Sequence, residues 1–155
     1  HDLGKLGIHE DVLNKPGRLN EHEWREIQQH PITGEQIAMP LKDALGMSLD
    51  IIRHHHEKLN GTGYPDGLQG EAISTPARIM AVVDIYDALV TDRAYRKAFP
   101  KEKALAILQE EADQGKLDLD VVNAFVVMMR ERKMKEHGNG QRNELFSDDA
   151  CLPSS

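Results

Sequence analysis

A periodic run of apolar residues that leads into a histidine triplet constrains the fold of this 155-residue chain more than any other feature. Its members recur at intervals of four, three and four, which is the spacing of one α-helix face. They are Leu45, Leu49, Ile52 and His56. A glycine-rich loop follows the triplet. No stretch of the sequence shows the alternation of apolar and polar residues that is typical of a strand. We therefore predict an all-α fold.

Composition narrows the class of protein and of partner. With 39% hydrophobic and 29% charged residues, the chain fits one ordinary globular domain. A net charge of -7 argues against a nucleic-acid duplex as partner, because duplex binding relies on many Lys and Arg contacts to phosphate. The lone cysteine, Cys151, excludes an internal disulfide. With no apolar run of membrane length and no signal peptide, we expect a cytoplasmic protein without a membrane segment.

Capping signals and prolines predict the remaining helices. Asn20 and Glu23 match a capping box, which begins a helix that ends near His30. Further helices are expected over residues 31–39, 77–90 and 101–112, and from Asp118 or Asp120 to about residue 136. We expect a single domain over residues 1–136 and a disordered tail over residues 137–155, where Gly, Asn, Ser and Asp dominate.

Histidines and aspartates from four places in the chain form a candidate metal centre: His1, Asp2, His30, His55, His56 and Asp84. Imidazole and carboxylate ligands without thiolate suit Fe, Mn, Zn, Co or Ni and argue against a structural zinc knuckle. Adjacent helix residues point about 100° apart, so His55 and His56 are expected to serve two neighbouring metals, with Asp2 as the bridge. Two such metals clamp a phosphoryl group during phosphate-ester hydrolysis. Lys5 would neutralise a phosphate oxygen or protonate a leaving group.

These residues carry a resemblance to a known family. The segment His1-Asp2-x-x-Lys5 resembles the signature of the HD-domain metal-dependent phosphohydrolases. The segment His55-His56-Glu57, followed by Gly61-Thr62-Gly63-Tyr64-Pro65, resembles the second signature of the HD-GYP subfamily. The match covers about residues 1 to 125 and continues through Asp66-Gly67-Leu68, Ala77-Arg78-Ile79, Asp84-Ile85-Tyr86-Asp87-Ala88-Leu89 and Asp92-Arg93-x-Tyr95-Arg96.

The resemblance implies a bacterial HD-domain helical bundle with a glycine-rich GYP loop and two or three divalent metals. Fe or Mn is favoured among them, with Zn, Co or Ni as alternatives. It implies hydrolysis of the messenger cyclic di-GMP to linear pGpG or to GMP, and diguanylate cyclases or regulatory domains as protein partners. The implied site comprises His1, Asp2, His30, His55, His56 and Asp84 as metal ligands, Asp2 and Lys5 in catalysis, and Lys5, Tyr64, Arg93 and Arg96 in substrate binding.

Departures from the family pattern leave alternatives open. Asn60 stands where the family more usually has Asp, and the family's additional Glu and His ligands come from helices before the His-Asp pair. The chain begins at His1 without a Met, so we expect an N-terminally incomplete domain. The alternatives are a catalytically weak or inactive cyclic di-GMP sensor or docking module, and a hydrolase of another nucleotide phosphoester.

Three residues also have interpretations that do not depend on the family pattern. An ion pair with Arg78 or Arg93 would also account for Asp84 in its apolar run. His54 matches no family role and is expected at the surface or behind the metal ligands. Trp24 lies on the apolar stripe of its helix and is expected in the core.

Overall fold

The computed structural model describes residues 1–92 and 96–144. Its α-helices in this part of the chain are α1 (Glu10–Leu13), α2 (Glu21–Gln28), α3 (His30–Ala38), α4 (Lys42–Leu45), α5 (Ser48–His54), α6 (Thr75–Val90), α7 (Lys101–Asp113) and α8 (Leu119–Glu144). Short 3-10 turns cover Asp2–Gly7, Met39–Leu41 and Gly70–Ala72. No strand occurs within the described residues, only isolated bridging such as that between Asn60 and Gln69. The all-α prediction is confirmed.

The helix predicted before the histidine triplet is interrupted. α4 ends at Leu45, and Gly46 follows with a φ of 49°, a backbone conformation that favours glycine. α5 then ends at His54, so that His55 and His56 lie beyond its last turn. The prediction of one continuous helical face was therefore wrong, and Gly46 after Leu45 was the stop signal.

Capping confirms the other predicted starts. The Asn20 side chain accepts a hydrogen bond from the Glu23 backbone N–H (2.9 Å), and the Glu23 carboxylate accepts one from the Asn20 N–H (2.8 Å). Pro31 lies in the first turn of α3. α8 runs to Glu144, beyond the end predicted near residue 136. Residues 145–155 of the predicted tail lie outside the described residues.

Successive packing of short elements assembles the first part of the chain. Residues His1–Val122 form one compact unit, and the chain from Asn123 forms a second. In the first unit the Asp2–Gly7 turn packs on α3, α3 on α5, α5 on α6, and α6 on α7. Its core includes Val82, Leu108 and Val122, which are all 0% exposed. No described helix is both long enough and apolar enough to cross a bilayer.

Trp24 does not lie in this core. Its side chain is 46% exposed and has an edge contact with the ring of Tyr64, in the loop after the histidine triplet. The expectation of a core tryptophan was wrong, because the partner of the indole is a loop side chain that covers only part of it.

Candidate metal centre

A backbone contact between two glycines brings the start of the chain to α3. A Cβ built on Gly4 would lie 1.8 Å from the carbonyl oxygen of His30 and 2.5 Å from the amide nitrogen of Gly34. Only a residue without a side chain permits this approach. The contact places Asp2, at the start of the turn, beside His30, at the start of α3.

Three side chains from separate elements point their donor atoms at one another. The Nε2 atoms of His30 and His55 lie 3.3 Å apart. The Oδ1 atom of Asp2 lies 3.5 Å from the first of these nitrogens and 3.9 Å from the second. Both imidazoles are buried, at 1% exposure. We call Asp2 Oδ1, His30 Nε2 and His55 Nε2 the inner donor set.

Backbone carbonyls fix the tautomer of both inner histidines. The Nδ1–H of His30 donates to the Ile27 carbonyl at 2.6 Å, and the Nδ1–H of His55 donates to the Ile52 carbonyl at 2.9 Å. A carbonyl oxygen only accepts, so the proton of each neutral ring is on Nδ1 and each Nε2 presents a lone pair. This is the arrangement by which proteins orient histidine ligands of metals.

The inner donor set fits a divalent metal. Atoms bound to one metal at about 2.1 Å lie about 3.0 to 3.4 Å apart at octahedral or tetrahedral angles. The separations of 3.3, 3.5 and 3.9 Å are close to these values. In addition, Asp2 Oδ1 is buried and has no hydrogen-bond partner among the described residues. A bound cation would satisfy three lone-pair atoms that face one another without a proton between them.

A second group of donors lies next to the first. Nε2 of His1 is 3.3 Å from Oδ1 of Asp84 and 3.7 Å from Oδ2 of Asp2. Nδ1 of His56 is 4.0 Å from Oδ2 of Asp84. We call these three residues, His1, His56 and Asp84, the outer donor set. A ring nitrogen of His56 also lies within 4.8 Å of donor atoms of Asp2, His30 and His55. Asp2 thus presents one oxygen to each set, which is the geometry of a bridging carboxylate.

Burial favours the neutral form of three histidines, His30, His55 and His56. It lowers the pKa of His30 below its ordinary value, against the opposing effect of the Ile27 carbonyl. Burial and the neighbouring His30 lower the pKa of His55, and burial together with His55 lowers the pKa of His56 to about 2. Neutral imidazole is the form that binds metals, so these pKa values favour ligation.

The carboxylate of Asp2 stays ionised for a different reason. Burial acts to raise its pKa, but the hydrogen bond and charge of Lys5 lower the pKa below its ordinary value. The Lys5 Nζ atom donates to Asp2 Oδ2 at 2.6 Å, and the lysine is only partly buried. Its ammonium group therefore lies at the edge of the cluster, where it can also reach a bound anion.

The loop after α5 is built around a buried carboxylate that the sequence analysis left without a role. Glu57 is 3% exposed and accepts hydrogen bonds from the backbone N–H groups of Asp66, Gly67 and Leu68, at 2.7 to 3.0 Å. The loop carries Tyr64, whose ring stacks on His56 with centroids 4.8 Å apart. This role could have been predicted from the position of a glutamate directly before a loop, because the backbone N–H groups of a loop need acceptors outside regular secondary structure.

Some predicted residues lie outside the donor sets. Nδ1 of His54 lies 2.6 Å from Oδ1 of Asp50 and its Nε2 lies 3.0 Å from Oδ2 of Asp66, which also pairs with Arg53. His54 therefore contacts none of the six proposed ligands through these hydrogen bonds, and its expected position at the surface or behind the ligands stays a prediction. The guanidinium of Arg96 donates to the carbonyls of Ala88, Leu89 and Lys97. Arg93 lies outside the described residues.

The alternative ion pair of Asp84 is not formed with Arg78. That arginine donates to Asp118 at 3.0 Å, whereas Asp84 faces His1 and His56. All six predicted ligands thus come together, with Lys5 and Tyr64 in contact with them.

Comparisons with known proteins indicate what this arrangement is similar to. A family model described as HD domain matches residues 1–121. A 3′3′-cGAMP-specific phosphodiesterase of Vibrio cholerae is 48% identical over 110 residues, which are 71% of this chain and 24% of that protein. A cyclic di-GMP phosphodiesterase of Pseudomonas aeruginosa is 39% identical over 126 residues, which are 81% of this chain and 30% of that protein.

A solved structure supports the same assignment of the fold. An HDG"Y"P protein of Bdellovibrio bacteriovorus matches 84% of this chain and 40% of its own length, with a TM-score of 0.65 and 24% identity. At that identity the likeness concerns the fold alone. The chain spans about a quarter to a third of the length of the two curated relatives.

Proposed function

Since the chain belongs to the HD domain family, whose model matches residues 1–121, we propose that it is a metal-dependent phosphodiesterase that hydrolyses cyclic di-GMP. The products would be linear pGpG or GMP. The observation that carries the proposal is the inner donor set, in which two deprotonated Nε2 atoms and an unpartnered carboxylate oxygen face one another. The name of the relative from Pseudomonas aeruginosa supports the substrate.

Each proposed ligand has a place in one of two metal positions. The inner set would hold one divalent metal, the outer set a second, and Asp2 would bridge them. Fe or Mn would suit this set of imidazoles and carboxylates. Bound divalent metals supply Lewis-acid polarisation of a phosphate and activation of water.

The side chains around the metals have distinct proposed tasks. Lys5 holds Asp2 in its ionised form and donates to a phosphate oxygen, which offsets the charge that develops during cleavage. Tyr64 stacks on His56 and fixes the orientation of that imidazole. Arg93 and Arg96 would contact the nucleotide. In the structure the Arg96 guanidinium donates to carbonyls at the end of α6.

A second substrate is favoured by one specific observation. The relative from Vibrio cholerae, at 48% identity, is named as specific for 3′3′-cGAMP. Hydrolysis of this dinucleotide would use the same centre and differ only in the recognition of one base. The assay should therefore contain both cyclic dinucleotides.

The test compares metal-loaded protein, metal-stripped protein and two histidine variants. We expect Mn²⁺- or Fe²⁺-loaded protein to linearise a cyclic dinucleotide, and a chelator to abolish turnover. Loss of a residue that orients a ligand costs about 10- to 100-fold, and His55→Ala, which removes a ligand, should cost at least as much. His22→Ala, an exposed histidine of α2, should retain activity. Binding without hydrolysis by the metal-loaded protein would favour the sensor alternative.

A further inference from the structure

The one tryptophan of the chain lies at the rim of the candidate metal centre. The indole of Trp24 makes an edge contact with Tyr64, with ring centroids 6.1 Å apart and planes at 76°. Tyr64 in turn stacks on His56, at 4.8 Å and 27°. A single aromatic ring therefore separates Trp24 from a proposed metal ligand.

Tyr64 itself has little free ring surface. One of its faces stacks on His56, and its ring also makes edge contacts with His30 and Trp24. Trp24, in contrast, is 46% exposed. Exposed apolar side chains are common and need no explanation singly. Trp24 differs from such residues because its rigid, exposed indole lies one ring away from a proposed ligand of the phosphate-binding metals.

We propose that Trp24 binds the substrate directly, by stacking its exposed indole face on one purine base of the cyclic dinucleotide while the phosphodiester lies at the donor sets. This proposal rests on the proposed function and names a further residue of the same site. A nucleotide carries its base one ribose away from its phosphate, and Trp24 lies one ring away from the donors. Stacking is tolerant of base identity, so the indole contributes affinity for guanine and adenine alike.

Fluorescence provides a direct test, because all tryptophan emission of this chain comes from Trp24. We mix Mn²⁺-loaded protein with cyclic di-GMP and follow the emission during the binding phase, with inorganic phosphate as the comparison ligand. Stacking should quench the emission with cyclic di-GMP and leave it unchanged with phosphate. Binding of cyclic di-GMP detected by calorimetry without a change in emission would overturn the proposal, and so would an absence of binding.

Kinetics of Trp24 variants provide the second test. Trp24→Ala should raise KM for cyclic di-GMP by about 5- to 100-fold with kcat within about twofold, because stacking acts in binding and not at the scissile bond. Trp24→Phe, which keeps a ring, should recover most of the affinity. Inhibition by inorganic phosphate, which has no ring to stack, should be unaffected in both variants. Ile79→Ala is the matched control, since Ile79 is 47% exposed on α6.

The outcomes separate this proposal from the proposed function. If the wild-type protein hydrolyses cyclic di-GMP and Trp24→Ala leaves its KM unchanged, stacking is refuted while the function stands. If neither the wild-type protein nor any variant hydrolyses the dinucleotide, the proposed function is refuted. The emission change and the affinities of Trp24→Ala and Trp24→Phe for the dinucleotide then still decide whether Trp24 stacks on a base. A thermal melt of each variant identifies loss of fold, and Trp24→Phe then carries the test.

Discussion

Substitution of Gly4 by alanine should disable the metal centre in a protein that still folds. The new methyl group would lie 1.8 Å from the carbonyl oxygen of His30. Contacts between non-bonded heavy atoms are favourable only near 3.5 Å or beyond, so the two backbones must separate by more than about 1 Å. The nearest atoms belong to the backbone, and no side-chain rotation relieves the clash.

The magnitude follows from the two effects of this displacement. Overpacking of a tight contact costs about 1 to 3 kcal/mol, which for a chain of this size lowers Tm by about 2 to 12 °C. The same displacement carries Asp2 away from His30 and His55, whose Nε2 atoms are now 3.5 and 3.9 Å from its Oδ1. A misplacement of about 1 Å in a catalytic constellation costs about 100-fold in rate. Because native proteins are typically stable by about 5 to 15 kcal/mol, the variant should remain folded while it retains about 1% of the wild-type activity.

Two other glycines calibrate the experiment. A Cβ on Gly34 would meet the Ile52 methyl group at 2.9 Å and the Gly4 nitrogen at 3.0 Å, and a Cβ on Gly17 would meet nothing within 4 Å. Thermal melts, metal content after dialysis and kcat/KM should all rank Gly17→Ala as mildest, Gly34→Ala as intermediate and Gly4→Ala as most severe. Wild-type metal content and activity in Gly4→Ala would refute the role given to this contact.

Two further predictions concern carboxylates that are not members of the donor sets. Glu57→Gln should lower the free energy of unfolding by about 1 to 3 kcal/mol and reduce activity, because an amide cannot accept all three loop N–H groups. The control is Glu71→Gln, at an almost fully exposed position, which should change neither the melting temperature nor the rate. Burial acts to raise the pKa of Asp118, but Arg78 and two backbone N–H groups lower it below its ordinary value. The unfolded pKa is about 3.9, so this carboxylate stabilises the fold above that pH and the contribution is lost as pH falls through the lower folded value. Urea unfolding from pH 6 to 2 should show a flatter pH dependence for Asp118→Asn, and parallel curves would contradict the assignment.

The sequence predicted the parts of this structure that depend on neighbouring residues. The capping box of Asn20 and Glu23 needs only a spacing of three, and it is present. The family motifs gathered all six candidate ligands. The glycine contact that sets their distances could not be predicted from the chain alone, because Gly4 and Gly34 are far apart in sequence. The surface position of Trp24 likewise depends on a loop forty residues later.

Local contacts and long-range contacts thus determine different features of the metal centre. The Nδ1 atoms of His30 and His55 donate to carbonyls three residues earlier, so short stretches of chain fix the directions of both lone pairs. Glycine contacts then fix the distance to Asp2. The result without metal is an inner donor set with three facing acceptors and an unpartnered buried oxygen. Such a site is organised for a cation at the expense of stability in its absence.

This arrangement predicts opposite effects of Asp2→Asn with and without metal. An asparagine amide group in place of Oδ1 would donate toward Nε2 of His30, 3.5 Å away, and remove an unsatisfied buried acceptor, worth about 1 to 3 kcal/mol. The lost ion pair with Lys5 is partly exposed and offsets at most about 1 kcal/mol of this gain. Metal-free Asp2→Asn should therefore melt no lower than the metal-free wild type. Saturating Mn²⁺ should raise the wild-type Tm, since 100-fold excess over Kd adds about 2.7 kcal/mol, and leave the variant unchanged. A metal-free variant that melts well below the wild type, or one that Mn²⁺ stabilises equally, would show that these donors are not organised for a cation.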